Sequence, residues 1–394
     1  MEKPDVEAMS LRIESIWMDA ENRIIQDIVR RIKKTGTITA TADYQINRLI
    51  AMGESREWVE KTLKEAMDAT WPEMFELYDK VAEWLYVRDP DIYEQVNADF
   101  IPWEENRELQ QLSRVIRDQT RDELVNLAQT YGFTVEVNGH KVFTPFATYW
   151  QKYIDHAIQD VFDGSRDYGS VMRIAVSQMT GSGFRVWRDN VQGDRVNYAS
   201  GYSSRIPVAV RRAVMTGLNQ LTGRINEYNA KKLGTDKYEV DWHAGARPSH
   251  AEWQGKIYTM AELRSICGLG EVTGLCGANC YHIYYPFVEG VQERMYTDEW
   301  LESKKADEAI ERVWKGKQLN RYQQTQQQRK METAMRAQRA KVVALREAGV
   351  EKKVINEERA KYKGMLAEYT YFSSTMSLRQ QRERIYMDKL GRVG

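Results

Sequence analysis

The chain has 394 residues, of which 42% are hydrophobic and 11% aromatic, enough for a sizeable buried core and for two or three domains. A small disulfide-stapled scaffold and a wholly disordered chain are thereby excluded. The formal net charge is zero, 57 Lys and Arg against 57 Asp and Glu, so the chain as a whole carries no strong pull toward nucleic acid or an anionic membrane. The zero conceals an asymmetry. Leu301–Gly394 carries 22 Lys and Arg against 12 Asp and Glu, leaving an acidic surplus in the rest. A basic end of this kind suits an anionic partner, and equally a long solvated helix face.

The N-terminal "MEKPDVEAMSLR" has acidic residues and no apolar core of a secretory signal, so a chain made in the cytoplasm without a leader is expected. The longest stretch free of Asp, Glu, Lys and Arg, Val272–Val288, is broken by Gly, Asn and Pro, which a membrane-spanning helix disfavours. All three cysteines lie between Cys267 and Cys280, an odd number that suits metal binding or plain burial better than a disulfide framework.

In chain order, residues 1–130 read as helices. Ile13, Ile16, Trp17, Ile24, Ile25, Ile28 and Ile32 recur at three- and four-residue spacing on one face of an amphipathic helix. A second helix is expected from about Ala42 to Met52, ending at Gly53, with further helical pattern interrupted at Pro72. In "FTVEVNGHKVF", Phe133, Val135 and Val137 alternate with polar residues before Asn138-Gly139, a strong hairpin signal. Helical period then returns from Pro145 to about Asp194, with a turn at "TGSGF".

A helix containing Val208, Val214, Leu218, Leu221 and Ile225 is expected to stop at Gly234. After it, "KYEVDWH" alternates, with Tyr238, Val240 and Trp242 expected inward and Glu239, Asp241 and His243 outward, and "YHIYYPFV" is aromatic and strand-like. From Met295 onward the pattern predicts a long helix, a turn at Gly349 and a returning helix. Met331, Met335, Val342 and Leu345 form one apolar stripe, and Ile355, Tyr362, Met365 and Tyr369 the other. The fold class is therefore mainly α with a small α+β module: long amphipathic helices, a β-containing Cys/His-rich segment and a C-terminal helical hairpin. The segments are 1–130 (helical), 131–194 (hairpin and helical connector), 195–300 (α+β module) and 301–394 (basic hairpin).

No nucleophile elbow, P-loop, dinucleotide fingerprint or paired-His zincin motif is present, so the well-marked hydrolase, nucleotide and zincin classes are without support. Cys267, Cys276, Cys280 and His282 follow the spacing C-x8-C-x3-C-x-H. Thiolate plus imidazole is the donor set tetrahedral zinc prefers, yet paired C-x2-C knuckles are missing. Zinc and a buried metal-free thiol cluster both stand, with His243 and His250 as further candidate ligands. A metal-dependent nuclease or other DNA-processing enzyme built on this segment is the alternative from a different class, although no second His follows at helical spacing. In "VDWHAGARPSHAEWQGKIY", Trp242 and Trp253 offer burial, and Arg247, His250 and Gln254 offer planar hydrogen bonding, to a stacked base or to the domain's own core.

Three blocks carry a resemblance: "YASGYSSRIPVAVRRAVMTGLNQLTGRINEY", "VDWHAGARPSHAEWQGKIY" and "CGLGEVTGLCGANCYHIYYPFVEG". Together they resemble the successive signatures of the phage minor capsid protein 2 family of tailed phages and prophages. The distinctive block holds His243, Gly245, Arg247, Pro248, His250, Trp253, Gln254 and Gly255. A more distant similarity links it to the Mu-type head morphogenesis domain, with Arg247 matching that domain's Arg and Cys276, Cys280 and His282 replacing its Cys-rich end only approximately.

The resemblance implies a structural head protein of the virion, at the portal vertex or inner capsid surface, in multiple copies, assisting head assembly, DNA packaging or ejection. The implied partners are the portal protein and major capsid or scaffold proteins. No membrane is implied. Packaged double-stranded DNA would meet the basic end through phosphate contacts from Arg329, Lys330, Arg336, Arg339 and Lys341, without base reading.

Overall fold

The computed structural model describes residues 3–38, 41–88, 90–188, 202–277 and 280–393. The expected boundary at 194/195, the start of the first signature block at Tyr198, and Ala278 and Asn279 lie outside the described residues. The chain is mainly helical with small antiparallel sheets, as its periodicity predicts.

Helix α1 (Val6–Gly36) buries most of the expected face: Ile13, Trp17, Ile24, Ile25, Ile28 and Ile32 are inside, and Ile16 is half-buried. Helix α2 (Thr41–Val87) differs from expectation, because it runs through both Gly53 and Pro72. Gly53 does not take up the left-handed backbone that ends a helix. Pro72 removes one helical hydrogen bond at a cost of about 3 kcal/mol, and burial of Met67, Met74, Leu77 and Tyr78 around it offsets that cost.

The residues gather into two compact units. One comprises Leu11–Trp71, Leu124–Val210 and Gln328–Gly394, and the other Met1–Ser10, Pro72–Glu123 and Arg211–Gln327. Helices α3 (Pro90–Gln95) and α4 (Arg107–Leu127) follow α2 in the chain.

In the first unit, β1 (Tyr131–Val137) and β2 (His140–Pro145) pair through the Asn138-Gly139 turn, where both residues have positive φ (50° and 77°), the backbone a two-residue hairpin needs. After α5 (Phe146–Tyr149), α6 (Asp155–Asp163) and α7 (Tyr168–Ser182), two strands appear that periodicity did not predict, β3 (Arg185–Arg188) and β4 (Tyr202–Arg205). They extend the hairpin into a sheet ordered β2-β1-β3-β4. Each is only four residues long, too short for alternation to register. The buried Glu21 of α1 fixes them, accepting from the Phe184 backbone N–H at 2.9 Å and the Arg205 guanidinium at 2.7 Å.

Helix α8 spans Ile206–Leu233 and gives way to Gly234, as expected. In the second unit, β5 (Lys237–Val240) is the central strand of a sheet ordered β6-β5-β7, with β6 at Ile257–Thr259 and β7 at Tyr284–Pro286. The outward orientation expected for Glu239 and Asp241 is corrected, since both are buried. Glu239 accepts from the backbone N–H groups of Met295 and Tyr296, and Asp241 from that of Ile283. Short helices α9 (Pro248–Ala251) and α10 (Met260–Ser265) flank β6.

The long helix expected after Met295 is also corrected. Helix α11 (Asp298–Ala309) stops, and a hairpin of β8 (Arg312–Trp314) and β9 (Lys317–Leu319) turns at Lys315-Gly316, both with positive φ. The helical hairpin begins only at α12 (Arg321–Ala348) and returns as α13 (Lys352–Thr375) after Gly349. Met335, Val342, Tyr362 and Tyr369 of the two predicted stripes share one buried cluster with Ile385, which belongs to α14 (Arg382–Tyr386), and with Val393.

Candidate functional site

The site is built by two loops of the β6-β5-β7 sheet, one joining β5 to β6 and the other running from α10 into β7. The first, 241–255, closes on itself: the Gly255 N–H donates to the Val240 carbonyl at 3.0 Å, and the Val240 N–H to the Lys256 carbonyl at 3.0 Å. Pro248 occupies the first turn of α9, where a missing N–H costs nothing, and brings His250 inward. The second loop, 266–283, leaves α10, whose start carries a complete capping box between Thr259 and Glu262. It folds back through a Leu275 N–H to Cys267 carbonyl bond of 2.8 Å. A Cβ on Gly274 would sit 2.0 Å from the Gly268 carbonyl oxygen, so this tight crossing needs glycine. Asp241 ties the loops together, since its N–H donates to the Ile283 carbonyl and its Oδ1 accepts from the Ile283 N–H at 2.7 Å.

Between the loops, three side chains converge. His250 Nδ1 lies 3.4 Å from His282 Nδ1, and Cys280 Sγ lies 3.7 Å and 3.6 Å from those two nitrogens. All three residues are buried, and their three donor atoms lie within 4.8 Å of one another. The outer ring nitrogens are held by acceptors. His250 Nε2–H donates to the Thr273 carbonyl at 2.9 Å, and His282 Nε2–H to Gln254 Oε1 at 2.9 Å. The same Gln254 oxygen accepts from the His243 backbone N–H at 2.9 Å, which fixes the amide's orientation. Both Nδ1 atoms therefore carry lone pairs that point toward each other and toward the thiol. Trp253 walls the cluster, its ring centroid 4.5 Å from that of His250 and 4.9 Å from that of His282.

The electrostatics follow from burial. His282 is pushed down to about 2, by burial first and then by the neighbouring His243, His250 and Arg247. His250 is also lowered, chiefly by burial, against the Thr273 carbonyl that favours its proton. Burial raises the Cys280 thiol, opposed by the backbone N–H groups of His282 and Cys276 and by the Arg247 charge. His243 takes a different part. Burial lowers it, but the Asp241 carboxylate at 3.3 Å and the Tyr281 carbonyl at 2.8 Å raise it above its ordinary value.

The residues singled out in the sequence are thus gathered in part. His250, Cys280 and His282 meet; Cys267 and Cys276 fall outside that group of three. Cys267 packs in the apolar core with Tyr258, Leu263 and Leu275, and its thiol is pushed up to about 12, first by burial. Cys276 donates to the His282 carbonyl at 3.5 Å. Of the distinctive block, Gly245 donates its N–H to Glu308 at 2.6 Å and Arg247 reaches the Thr273 carbonyl at 3.5 Å. Of the two further candidate ligands, His250 joins Cys280 across thirty residues and a strand, and His243 does not.

Of the five basic residues expected to meet phosphate, three are engaged by the chain itself. Arg339 is 1% exposed and paired with Asp388, so it faces the core. Arg336 donates to the Arg384 carbonyl at 2.7 Å and Lys341 pairs with the buried Glu358 at 3.1 Å. Lys330 is exposed and Arg329 half-buried.

Among the described residues, no helix is long and apolar enough to cross a membrane. No curated protein and no solved structure matches the chain. The family model for phage minor capsid protein 2 matches residues 4–372, a span that includes both loops of the site. The chain therefore belongs to the phage minor capsid protein 2 family, and its role is a structural one in the phage particle.

Proposed function

We propose that the chain is a minor head protein at the portal vertex or on the inner capsid surface, where several copies assist head assembly, genome packaging or ejection. The observation that carries this reading is the family match across residues 4–372. The exposed apolar row Ile46, Leu49 and Ile50 on α2 supports it, because three large side chains at helical spacing left in water mark a protein-contact surface. The portal protein and the major capsid or scaffold proteins are the partners it fits. The burial of His250, Cys280 and His282 favours this over a nuclease, since a catalytic metal must be reached by substrate.

Any contact of the basic end with packaged DNA falls to exposed cations such as Lys330 and not to Arg339. Such contact would be insensitive to sequence and weaken steeply with salt. The test is co-expression with the portal protein of the same phage, together with protein mass spectrometry of purified particles. A complex that survives size exclusion and a fixed copy number per particle are expected. Particles without the chain, and a portal that does not retain it, would overturn the reading.

A further inference from the structure

We propose that His250, Cys280 and His282 are the protein ligands of a zinc ion that joins the 241–255 loop to the 266–283 loop. The first support is metric. Zinc binds imidazole nitrogen at about 2.0–2.1 Å and thiolate sulfur at about 2.3 Å, so tetrahedral ligands stand roughly 3.3 Å apart for two nitrogens and roughly 3.6 Å for nitrogen and sulfur. The triangle here measures 3.4 Å between the nitrogens and 3.6 and 3.7 Å from them to sulfur.

The second support is the proton inventory. Thr273 and Gln254 each accept the Nε2 proton of a histidine, which leaves both Nδ1 atoms as acceptors. One thiol proton cannot satisfy two facing lone pairs at once. A cation between them satisfies all three donors at once. Metal-bound histidine commonly donates its outer N–H to a carbonyl oxygen, which is the arrangement both rings show.

The donor set, two neutral imidazoles and one thiolate, selects zinc over calcium or magnesium, whose preference is for oxygen. Binding releases the Cys280 proton to solvent and leaves the sulfur as thiolate, with no change in oxidation state. A fourth donor, water or the Cys276 sulfur that already lies against the His282 carbonyl, would complete the tetrahedron. The ion would act as a staple, because strand pairing at this end of the sheet stops at Val240 and Tyr284 and the two loops contribute few strand hydrogen bonds of their own.

The test is metal analysis of the full-length chain purified from zinc-supplemented cells, by elemental mass spectrometry and native mass. One zinc per chain is expected, falling by at least about tenfold in Cys280→Ser and in His282→Gln, and retained in Cys267→Ala. If the substituted chains do not fold, the wild-type chain decides. Stripping it with a chelator should lower its melting temperature, and zinc alone should restore it while calcium and magnesium do not. A wild-type chain without bound metal, a stoichiometric metal other than zinc, or zinc retained in a folded Cys280→Ser chain would each overturn the assignment.

Discussion

Arg339 and Asp388 form a buried two-point ion pair, Nε to Oδ2 at 2.7 Å and Nη2 to Oδ1 at 3.0 Å, with side chains only 1% and 3% exposed. The same guanidinium donates to the Gly391 carbonyl at 2.7 Å and to the Tyr362 hydroxyl at 3.4 Å, and lies 4.6 Å from the Tyr386 ring centroid. One cation thus fastens the residues after α14 to both arms of the helical hairpin. Those residues lie beyond the family match, which stops at 372. Removing one partner leaves a buried, unpaired charge, so Asp388→Ala should destabilise the chain by about 3–5 kcal/mol. Breaking the exposed Arg379–Glu383 pair with Glu383→Ala should change stability by less than about 1 kcal/mol. Urea unfolding midpoints compare the two, and similar shifts for both would refute the role assigned to Asp388.

Glu358 supplies a pH dependence with a definite sign. Burial alone would raise its pKa, but Lys361 at 2.8 Å, Gln338 at 2.7 Å and Lys341 at 3.1 Å hold it at about 2. Unfolded, it titrates at about 4.3. A folded pKa below the unfolded one contributes stability that is fully present above the unfolded value and lost as pH falls toward the folded one. The unfolding midpoint should therefore drop between about pH 4.5 and 2, and Glu358→Gln should flatten that part of the profile. An unchanged slope in the variant would remove Glu358 from the account.

Helix faces and turns were legible because their signals are local. Ile24, Ile28 and Ile32 recur with the helical period, and Asn138-Gly139 and Gly349 take the positive φ that their identities suggest. The four-residue β3 and β4 were not legible, being held by Glu21 from a distant helix. Glu239 misled for a related reason: alternation assigns a carboxylate to solvent unless something pays its desolvation, and here two backbone N–H groups of a later loop do so. The candidate site was half legible. Cys280 and His282 are neighbours in sequence, whereas His250 reaches them only because the sheet returns both loops to one end of β5.

Two glycines inside helices should respond to alanine with opposite signs. A Cβ on Gly217 would lie 2.1 Å from Thr120 Oγ1 and 2.3 Å from the Tyr78 hydroxyl, which donates to the Val214 carbonyl at 2.6 Å. Gly217→Ala should destabilise by about 1–3 kcal/mol despite the better helix propensity of alanine. Around Gly53 a Cβ would meet nothing within 4 Å, so Gly53→Ala should stabilise by about 0.5–1 kcal/mol. Thermal unfolding of the pair is the check, and a gain from Gly217→Ala would mean that the helices do not approach as closely as the backbone indicates.

Gln254 separates a zinc staple from mere packing, on the premise that the metal site proposed above exists. Its Oε1 accepts both the His282 Nε2–H and the His243 N–H, so it sets the ring orientation and tautomer of one ligand without touching the ion's position. Gln254→Ala should lower zinc affinity by about 10–100-fold, the usual effect of losing such a support, while the metal-free chain keeps its helical content. Gln254→Glu retains an acceptor and should restore most of the affinity. Competition titration against a chromophoric chelator reads the affinity and circular dichroism the fold. Equal zinc affinity in the wild type and Gln254→Ala would show that His282 is not oriented through this hydrogen bond.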